Sequence, residues 1–242
     1  MLFKTFLNTL VLRIRKNRNA IITIMGETGS GKTYCALRLG ELLDKEFCLY
    51  NISFTAADFI KKINDHFNGS HPLKKGTVLI VDEAGVEFSN RRWQSNENQL
   101  LGMLAQSFRS LNWIVIFTLP HLSFFEKQAR MMSNYVLCTS RIDYKNKTVQ
   151  LELWEMKLNR SPYAEKPYMP VHPTVRNPGH EETQRQYINL GLPSQQLRDS
   201  FEALKYEWQK VKYKELSERL NDGNGVVETP SNDINVFSGL FK

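Results

Sequence analysis

The chain has 242 residues, of which 41% are hydrophobic and 24% are charged, and its formal net charge is +7. This length and balance are typical of a soluble globular protein with one large domain or one domain and an appendage. No apolar run reaches the roughly 18 residues that a membrane span needs. The three cysteines are far apart, which argues against a disulfide framework or a zinc site and favours small buried thiols in a reducing cytoplasm.

The first 18 residues form a basic segment that is predicted to be an amphipathic helix. Its basic residues contribute +5 of the net charge, and no acid accompanies them: Lys4, Arg13, Arg15, Lys16 and Arg18. Such a helix packs on its own domain or contacts a membrane surface, DNA or a neighbouring subunit. No small-residue cleavage site follows it, so a secretory signal is not predicted.

From residue 19 to residue 158, short apolar runs alternate with longer stretches of helical period. The predicted strands are 20–25, 47–52, 77–81, 113–119 and 135–139, and the predicted helices are 32–43, 56–67, 96–110 and 124–132. Continuous apolar strands that alternate with helices predict a parallel sheet covered on both faces. The expected fold class is therefore α/β, with a mainly parallel five-stranded sheet.

The pattern changes after residue 140. Residues 141–157 have a polar centre between two strand-like segments, which predicts an antiparallel hairpin at an edge of the sheet. Residues 159–193 hold six of the nine prolines and are predicted to be a linker or a crossing segment. A long helix is predicted over 194–221, docked on its own body or on another subunit, and 222–242 is predicted to be a flexible tail.

The stretch GETGSGKT, residues 26–33, lies between the first predicted strand and the helix that follows it. Glycines let a loop turn its N–H groups inward around a phosphate, and the start of the helix adds a favourable dipole. Lys32 supplies a charge for the β- and γ-phosphates, and Thr33 offers a hydroxyl to Mg²⁺. The predicted nucleotide-binding residues are Gly26, Glu27, Thr28, Gly29, Ser30, Gly31, Lys32, Thr33 and Tyr34.

Two acids follow the third predicted strand, in TVLIVDEAG at residues 77–85. Carboxylates at the end of a buried strand are not explained by packing, and ligands bind at this edge of open parallel sheets. We predict that Asp82 holds Mg²⁺ together with Thr33. Glu83 is predicted to polarise a water molecule for attack on the γ-phosphate.

Further candidate residues flank the fourth predicted strand. Thr118 or His121 could sense the γ-phosphate, although a surface-loop histidine is the simpler interpretation of His121. Phosphoryl transfer also needs an extra cation, commonly an arginine supplied by a neighbouring subunit. The candidates are Arg109 and Arg130, with the pair Arg91 and Arg92 as a third option.

In this order, GETGSGKT, VLIVDEAG, QSFRSLN and WIVIFTLPH resemble the motifs of additional-strand, catalytic-glutamate P-loop ATPases. Within that group the chain is most similar to zonular occludens toxin-like and FtsK/HerA-type viral and plasmid DNA-handling ATPases. The resemblance implies that the strand ending at Thr118 lies between the P-loop strand and the Asp82 strand. It also implies a glutamine sensor after the threonine, where this chain has Leu119.

We therefore expect a Mg²⁺-dependent ATPase that couples hydrolysis to DNA translocation, packaging or mobilisation in a virus or mobile element. The resemblance implies a homo-oligomeric ring, for example a hexamer, in the host cytoplasm. One alternative is a membrane-associated assembly or extrusion ATPase, although toxin-like members usually carry a downstream membrane span. A nucleotide-gated binding module with little turnover is another. A small-molecule kinase would need an arginine-rich lid, which is not identified in this sequence. GTP binding would need a guanine-specificity loop, which this sequence does not contain.

Overall fold

The structure is a computed structural model that describes residues 2–83, 111–124, 132–158, 168–172 and 186–221. Its helices are α1 (Leu2–Arg15), α2 (Lys32–Leu43), α3 (Ala56–Phe67) and α4 (Gln195–Asn221). Its strands are β1 (Ala20–Met25), β2 (Ile52–Ser53), β3 (Val78–Val81), β4 (Ile114–Leu119), β5 (Tyr135–Asp143), β6 (Thr148–Leu158), β7 (Tyr168–Val171) and β8 (Tyr187–Gly191). The chain divides into two compact units, Met1–Pro193 and Ser194–Lys242.

The strands of the first unit form one sheet in the order β2-β3-β4-β1-β5-β6-β7, and β8 also pairs with β6. β1 pairs in parallel with β4 and β5, and β3 pairs in parallel with β2 and β4. β4, which ends near Thr118, thus lies between β1, which precedes the P-loop (residues 26–33), and β3, which precedes Asp82. The described residues have the mixed α/β fold that the alternation predicts, and residues that follow parallel strands meet at one edge of the sheet.

The core of the first unit lies between this sheet and its helices. All residues of β3 and β4 are buried, as expected for strands covered on both faces. Phe59 of α3 packs edge-to-face on Phe117 of β4, with 6.3 Å between the ring centroids. Burial of each such ring contributes about 2 kcal/mol. Thr55 caps α3, because its Oγ1 accepts a hydrogen bond of 3.1 Å from the Asp58 N–H.

Helix α1 uses its apolar face within its own domain. Phe6, Leu10 and Ile14, at a spacing of four, are buried. The Phe6 ring stands edge-on to Tyr135 of β5, with centroids 5.4 Å apart. The structure therefore favours packing on its own domain among the predicted roles of this segment, and it leaves the basic side chain of Lys4 exposed. These three buried apolar side chains are not available to lie in a bilayer.

Strand β5 extends beyond its predicted end at residue 139. Its first residues, Tyr135–Cys138, pair in parallel with β1, and the whole strand to Asp143 pairs in an antiparallel ladder with β6. The hairpin predicted over 141–157 is present, but the prediction that it lies at an edge of the sheet is wrong, because β6 also pairs with β7 and β8. Because β6 supplies backbone partners after β1 has ended, β5 runs past the edge of the parallel sheet.

Strand β2 is shorter than predicted, since a 3-10 turn at Leu49–Asn51 precedes it. The Asn51 side chain donates to Val78 O at 3.0 Å and accepts from the Cys48 N–H at 3.2 Å. These side-chain bonds replace ladder bonds over the predicted first residues of the strand. Cys48 is exposed, so the prediction of buried cysteines is wrong for this residue, whereas Cys35 is buried.

The second unit contains the predicted C-terminal helix, α4. Ser194 precedes it, and its Oγ accepts a hydrogen bond of 3.3 Å from the Leu197 N–H, as an N-cap does. The Lys212 ammonium lies 4.7 Å from the centroid of the Trp208 ring. Among the helices of the described ranges, none has the length and hydropathy of a membrane span.

Several predictions fall outside the described residues. They are the helix at 96–110, most of the helix at 124–132, the arginines at 91, 92, 109 and 130, most of the segment 159–193, and the tail 222–242. The domain boundaries at residues 18, 158 and 193 stay predictions.

Candidate functional site

The loop between β1 and α2 is built for close approach of a ligand to the backbone. Gly29 and Gly31 have φ of +79° and +86°, which costs an L-residue with a side chain about 1–2 kcal/mol. Gly31 is also the N-cap of α2, and no side chain caps the helix there. The first turn of α2 therefore presents its amide end to the loop without a capping group.

Strands on both sides hold this loop in place. On one side, the Gly26 N–H donates to Leu119 O at 3.3 Å and to Pro120 O at 3.2 Å. On the other side, Thr139 Oγ1 of β5 contacts Met25 O at 3.2 Å and Ser30 Oγ at 2.8 Å. The loop is thus fixed from β4 and from β5, which favours a preformed phosphate site.

Lys32 lies back over its own loop. Its Nζ donates a hydrogen bond of 2.7 Å to the carbonyl oxygen of Glu27. This contact closes the loop across five residues with a cation. A phosphate oxygen would be a stronger acceptor for the same ammonium group.

The acid after β3 is buried and is held by two hydroxyl groups. Asp82 Oδ1 accepts a hydrogen bond of 2.8 Å from Thr33 Oγ1 and one of 2.7 Å from Thr118 Oγ1. Asp82 is 0% exposed, and its N–H donates to Ser53 O at 2.8 Å. The structure therefore brings together Thr33, Asp82 and Thr118, which the sequence places on three different elements.

Glu83 follows with a backbone conformation that is uncommon for a residue with a side chain. Its φ is +54°, and its side chain is exposed. The Glu83 N–H donates to Thr118 Oγ1 at 2.8 Å, so one threonine holds both acids. A strained backbone that a buried neighbour stabilises is typical of functional sites.

The donor set at this edge of the sheet suits Mg²⁺. A carboxylate and an aliphatic hydroxyl are hard oxygen ligands, and Mg²⁺ sites commonly use one or two protein oxygens with phosphate oxygens and water completing the shell. The described residues contain no cluster of three or more His, Cys, Asp or Glu that could hold a metal ion alone. Thr33 and Asp82 could therefore hold Mg²⁺ together with a bound nucleotide.

Thr118 contacts both acids, so a positioning role is a hypothesis beside the predicted sensing of the γ-phosphate, which stays a prediction. It is 1% exposed, and its hydroxyl is engaged by the Asp82 carboxylate and the Glu83 N–H. His121 instead contacts Ser123 Oγ at 2.9 Å within its own turn, and it is exposed. The surface-loop interpretation of His121 agrees with this contact.

We expect Thr118→Val to lower phosphate release from ATP by about tenfold, because loss of one buried hydrogen bond to a charged group costs about 1.5–3 kcal/mol. The substitution keeps the shape of the side chain and removes both contacts. The measurement is steady-state phosphate release, with Thr9→Val on the exposed face of α1 as the control for the same chemical change. Equal rates for Thr118→Val and wild type would contradict the positioning role.

Sequence reasoning missed Thr139, which supports the P-loop from a strand 109 residues away. No motif marks it. The only available signal is its place at the carboxyl end of the strand beside β1.

Part of this chain is similar in sequence to known phage and toxin proteins. Residues 41–150 match the family described as Zonular occludens toxin (Zot). The chain is 27% identical over 151 residues to the "Gene 1 protein" of Enterobacteria phage M13, covering 51% of this chain and 43% of that protein. It is 34% identical over 77 residues to the "Gene 1 protein" of Escherichia phage If1, covering 31% and 22%.

This chain therefore spans less than half the length of these phage relatives. Among solved structures, the N-terminal domain of zonular occludens toxin from Neisseria meningitidis shows 17% identity and a TM-score of 0.38, covering 57% of this chain and 84% of that one. The family match over residues 41–150 and the phage relatives confirm the toxin-like part of the predicted resemblance.

Proposed function

We propose that this chain is a Mg²⁺-dependent ATPase of the additional-strand, catalytic-glutamate P-loop group, serving phage assembly or extrusion. The observation that carries the proposal is the convergence of Thr33, Asp82 and Thr118 beside a glycine-rich loop that ends in Lys32. The matches to phage proteins support the setting. DNA is the proposed cargo. The ATPase would move it, package it or release it with the phage particle.

Each residue has a defined part in the proposed reaction. The loop amides and Lys32 bind the β- and γ-phosphates, with Lys32 exchanging Glu27 O for phosphate oxygens. When bound through Thr33 and Asp82, Mg²⁺ would neutralise charge on the phosphate oxygens.

Hydrolysis then needs a base and a leaving group. The Glu83 carboxylate accepts a proton from a water molecule whose oxygen attacks the γ-phosphorus. The bond from that phosphorus to the β,γ-bridging oxygen breaks, and ADP carries away the electron pair. Thr118 holds the Asp82 carboxylate and the Glu83 backbone in place during this step.

The cation that completes such a site is proposed to come from a second copy of the chain. Arg109 and Arg130 are the candidates from the sequence, and a ring of subunits, for example a hexamer, would place one at each neighbouring site. The exposed basic residues of α1 do not lie on the face of the helix that is buried. They could contact an anionic surface.

We expect the wild-type protein to bind a fluorescent ATP analogue and to release phosphate only with Mg²⁺ present. Lys32→Ala is expected to weaken nucleotide binding by about tenfold to a hundredfold, since charge-assisted hydrogen bonds contribute about 1.5–3 kcal/mol. Lys45→Ala, an exposed lysine beyond the other end of α2, is the matched control. No nucleotide binding by the wild type at millimolar concentration would refute the proposed function.

A further inference from the structure

The β5–β6 hairpin extends past the edge of the sheet at which the proposed nucleotide site lies. The last parallel pair of β5 with β1 is Cys138 with Met25, and β5 continues to Asp143. At about 3.3 Å per residue, these additional residues carry the hairpin roughly 15 Å beyond the parallel sheet. The hairpin tip therefore lies on the side of the P-loop, and β8 flanks β6 as far as Thr148 at the base of the tip.

The tip combines cations with an exposed aromatic ring. Arg141, Lys145 and Lys147 are exposed, and the tip contains one acid, Asp143. Tyr144 is 82% exposed, the largest value among the exposed large hydrophobic side chains of the described residues. Burial of that ring against a partner would remove a large apolar surface from water, and the cations select an anionic partner.

The conformation of the tip is fixed by its own hydrogen bonds. Asp143 accepts 2.9 Å and 2.7 Å bonds from the backbone and side-chain nitrogens of Asn146. These bonds, led by the one from the Asn146 backbone, lower the pKa of Asp143. The acid is therefore used to order the turn, and the aromatic ring and cations beside it are presented by a structured loop.

Lys147 occupies a position that favours other residues. Its φ is +52°, a left-handed conformation that Asn or Gly adopts at lower cost. Retaining lysine there opposes the local backbone preference while adding a positive charge at the tip. An uncommon conformation of this kind is a reason to look for a function of the side chain.

We propose that the tip of the β5–β6 hairpin, Arg141–Lys147, is a binding site for single-stranded nucleic acid. Tyr144 stacks on a base, and Lys145 and Lys147 contact the flanking phosphates. Stacking is tolerant of sequence because every base has a π-face. A duplex offers no unstacked base to one exposed ring, so a single strand is the partner that uses both features of the tip.

The base of the same hairpin contacts the P-loop. Thr139 reaches Ser30, and Val149 Cγ2 lies 2.9 Å from where a Cβ on Gly31 would be. A single-stranded nucleic acid bound at the tip would thus be held by a hairpin that also supports the P-loop. This inference rests on the proposed function for its cargo, and it adds the residues that would recognise that cargo.

The test measures fluorescence anisotropy of a labelled oligothymidylate with the full chain, at several salt concentrations. Tyr144→Ala is expected to weaken binding about tenfold, and Tyr144→Trp to restore it. Lys145→Gln with Lys147→Asn is expected to lower the slope of log affinity against log salt by about 1.4, or about 0.7 for each lost contact. The asparagine suits the left-handed position, so the turn is retained.

Two controls separate this site from other surfaces. Tyr213→Ala removes another exposed tyrosine, from α4, and Lys45→Gln with Lys75→Gln removes the same charge from exposed positions after α2 and before β3. Both are expected to change binding by less than about twofold. A larger loss with the Lys45 and Lys75 pair, or equal loss in every variant, would overturn the assignment.

Phosphate release and ATP affinity distinguish the two proposals. If Tyr144→Ala lowers the affinity for ATP, the ring serves the nucleotide and the nucleic-acid site is refuted. If the wild type releases phosphate and fails to bind the oligonucleotide, this inference fails and the ATPase proposal stands. If neither activity is present, both fail.

Discussion

Glu83→Gln is expected to lower the rate of ATP hydrolysis by about a thousandfold, within the range of 10² to 10⁴ that general bases contribute. The amide keeps the size of the carboxylate and cannot accept a proton from water at neutral pH. One contact that holds the residue is the hydrogen bond from its backbone N–H to Thr118 Oγ1. This contact does not involve the substituted group, so the backbone of the site is retained.

Binding of ATP is expected to stay within about twofold of the wild type, because the proposed phosphate and metal ligands are unchanged. Single-turnover phosphate release gives the chemical step, and a fluorescent ATP analogue gives the affinity. Glu46→Gln is the control for the same substitution on an exposed side chain paired with Lys74. A thousandfold loss confined to Glu83→Gln would identify the base.

The opposite result has a defined meaning. If Glu83→Gln and the wild type bind ATP equally and both release phosphate only at background rates, the chain is a nucleotide-gated binding module. In that case Asp82 and Thr33 organise the metal, and Glu83 has no part in turnover. Addition of single-stranded DNA or of a second arginine-bearing subunit would then be the condition under which turnover is sought.

The parts of the site that the sequence reveals are those whose physical cause is local. Gly29, Gly31 and Lys32 lie within four residues, and the loop needs their conformations and charge together. Asp82 is recognisable because a carboxylate directly after four buried strand residues has no packing explanation. In both cases the chemistry and the chain position are given by one short stretch.

The contacts that sequence reasoning missed depend on which strands are neighbours: Thr118 was predicted as a site residue without its hydrogen bond to Asp82, and Thr139 was not predicted. Thr118 lies 36 residues from Asp82, and Thr139 lies 109 residues from Ser30. A threonine in an apolar strand is ordinary by composition, because β-branched residues suit strands. Only the order β3-β4-β1-β5 shows that one of these hydroxyls reaches the acids and the other reaches the loop.

Lys62 gives a further example of a role that depends on tertiary structure. Its spacing from Asp58 is that of an exposed helical ion pair, yet the residue is only 5% exposed. Its Nζ donates to Ile52 O at 2.7 Å and to Ser53 Oγ at 2.8 Å, and burial lowers its pKa. The ammonium group thereby fixes the end of β2, whose Ser53 O accepts from the Asp82 N–H.

Gly26→Ala is expected to cause the largest loss of stability among the loop glycines. A Cβ at this position would lie 1.7 Å from Thr139 Oγ1 and 3.1 Å from Thr139 Cβ. The loop or β5 must move to relieve that overlap, and overpacking of this kind costs about 1–3 kcal/mol. Movement would also break the contacts that hold Ser30 and Met25, so ATP affinity is expected to fall with stability.

The cause can be isolated with a second substitution on the opposing strand. Thr139→Ala alone removes two hydrogen bonds and is expected to cost about 1 kcal/mol for each. Combined with Gly26→Ala it removes the nearer clash, so the double variant is expected to be less destabilised than the sum of the two single variants. Urea unfolding of the four proteins measures this coupling.

Gly29→Ala is the matched control for the backbone conformation. Its φ is +79°, and a Cβ there would meet nothing within 4 Å. Its cost of about 1–2 kcal/mol should come from the left-handed conformation alone, and Thr139→Ala should not reduce it. Thr139→Ala could reduce the destabilisation caused by Gly29→Ala as much as it reduces the destabilisation caused by Gly26→Ala. In that case a general loosening of the loop would explain both results. The contact between the P-loop and β5 would then have no specific role, because the coupling would not follow the geometry of the clash.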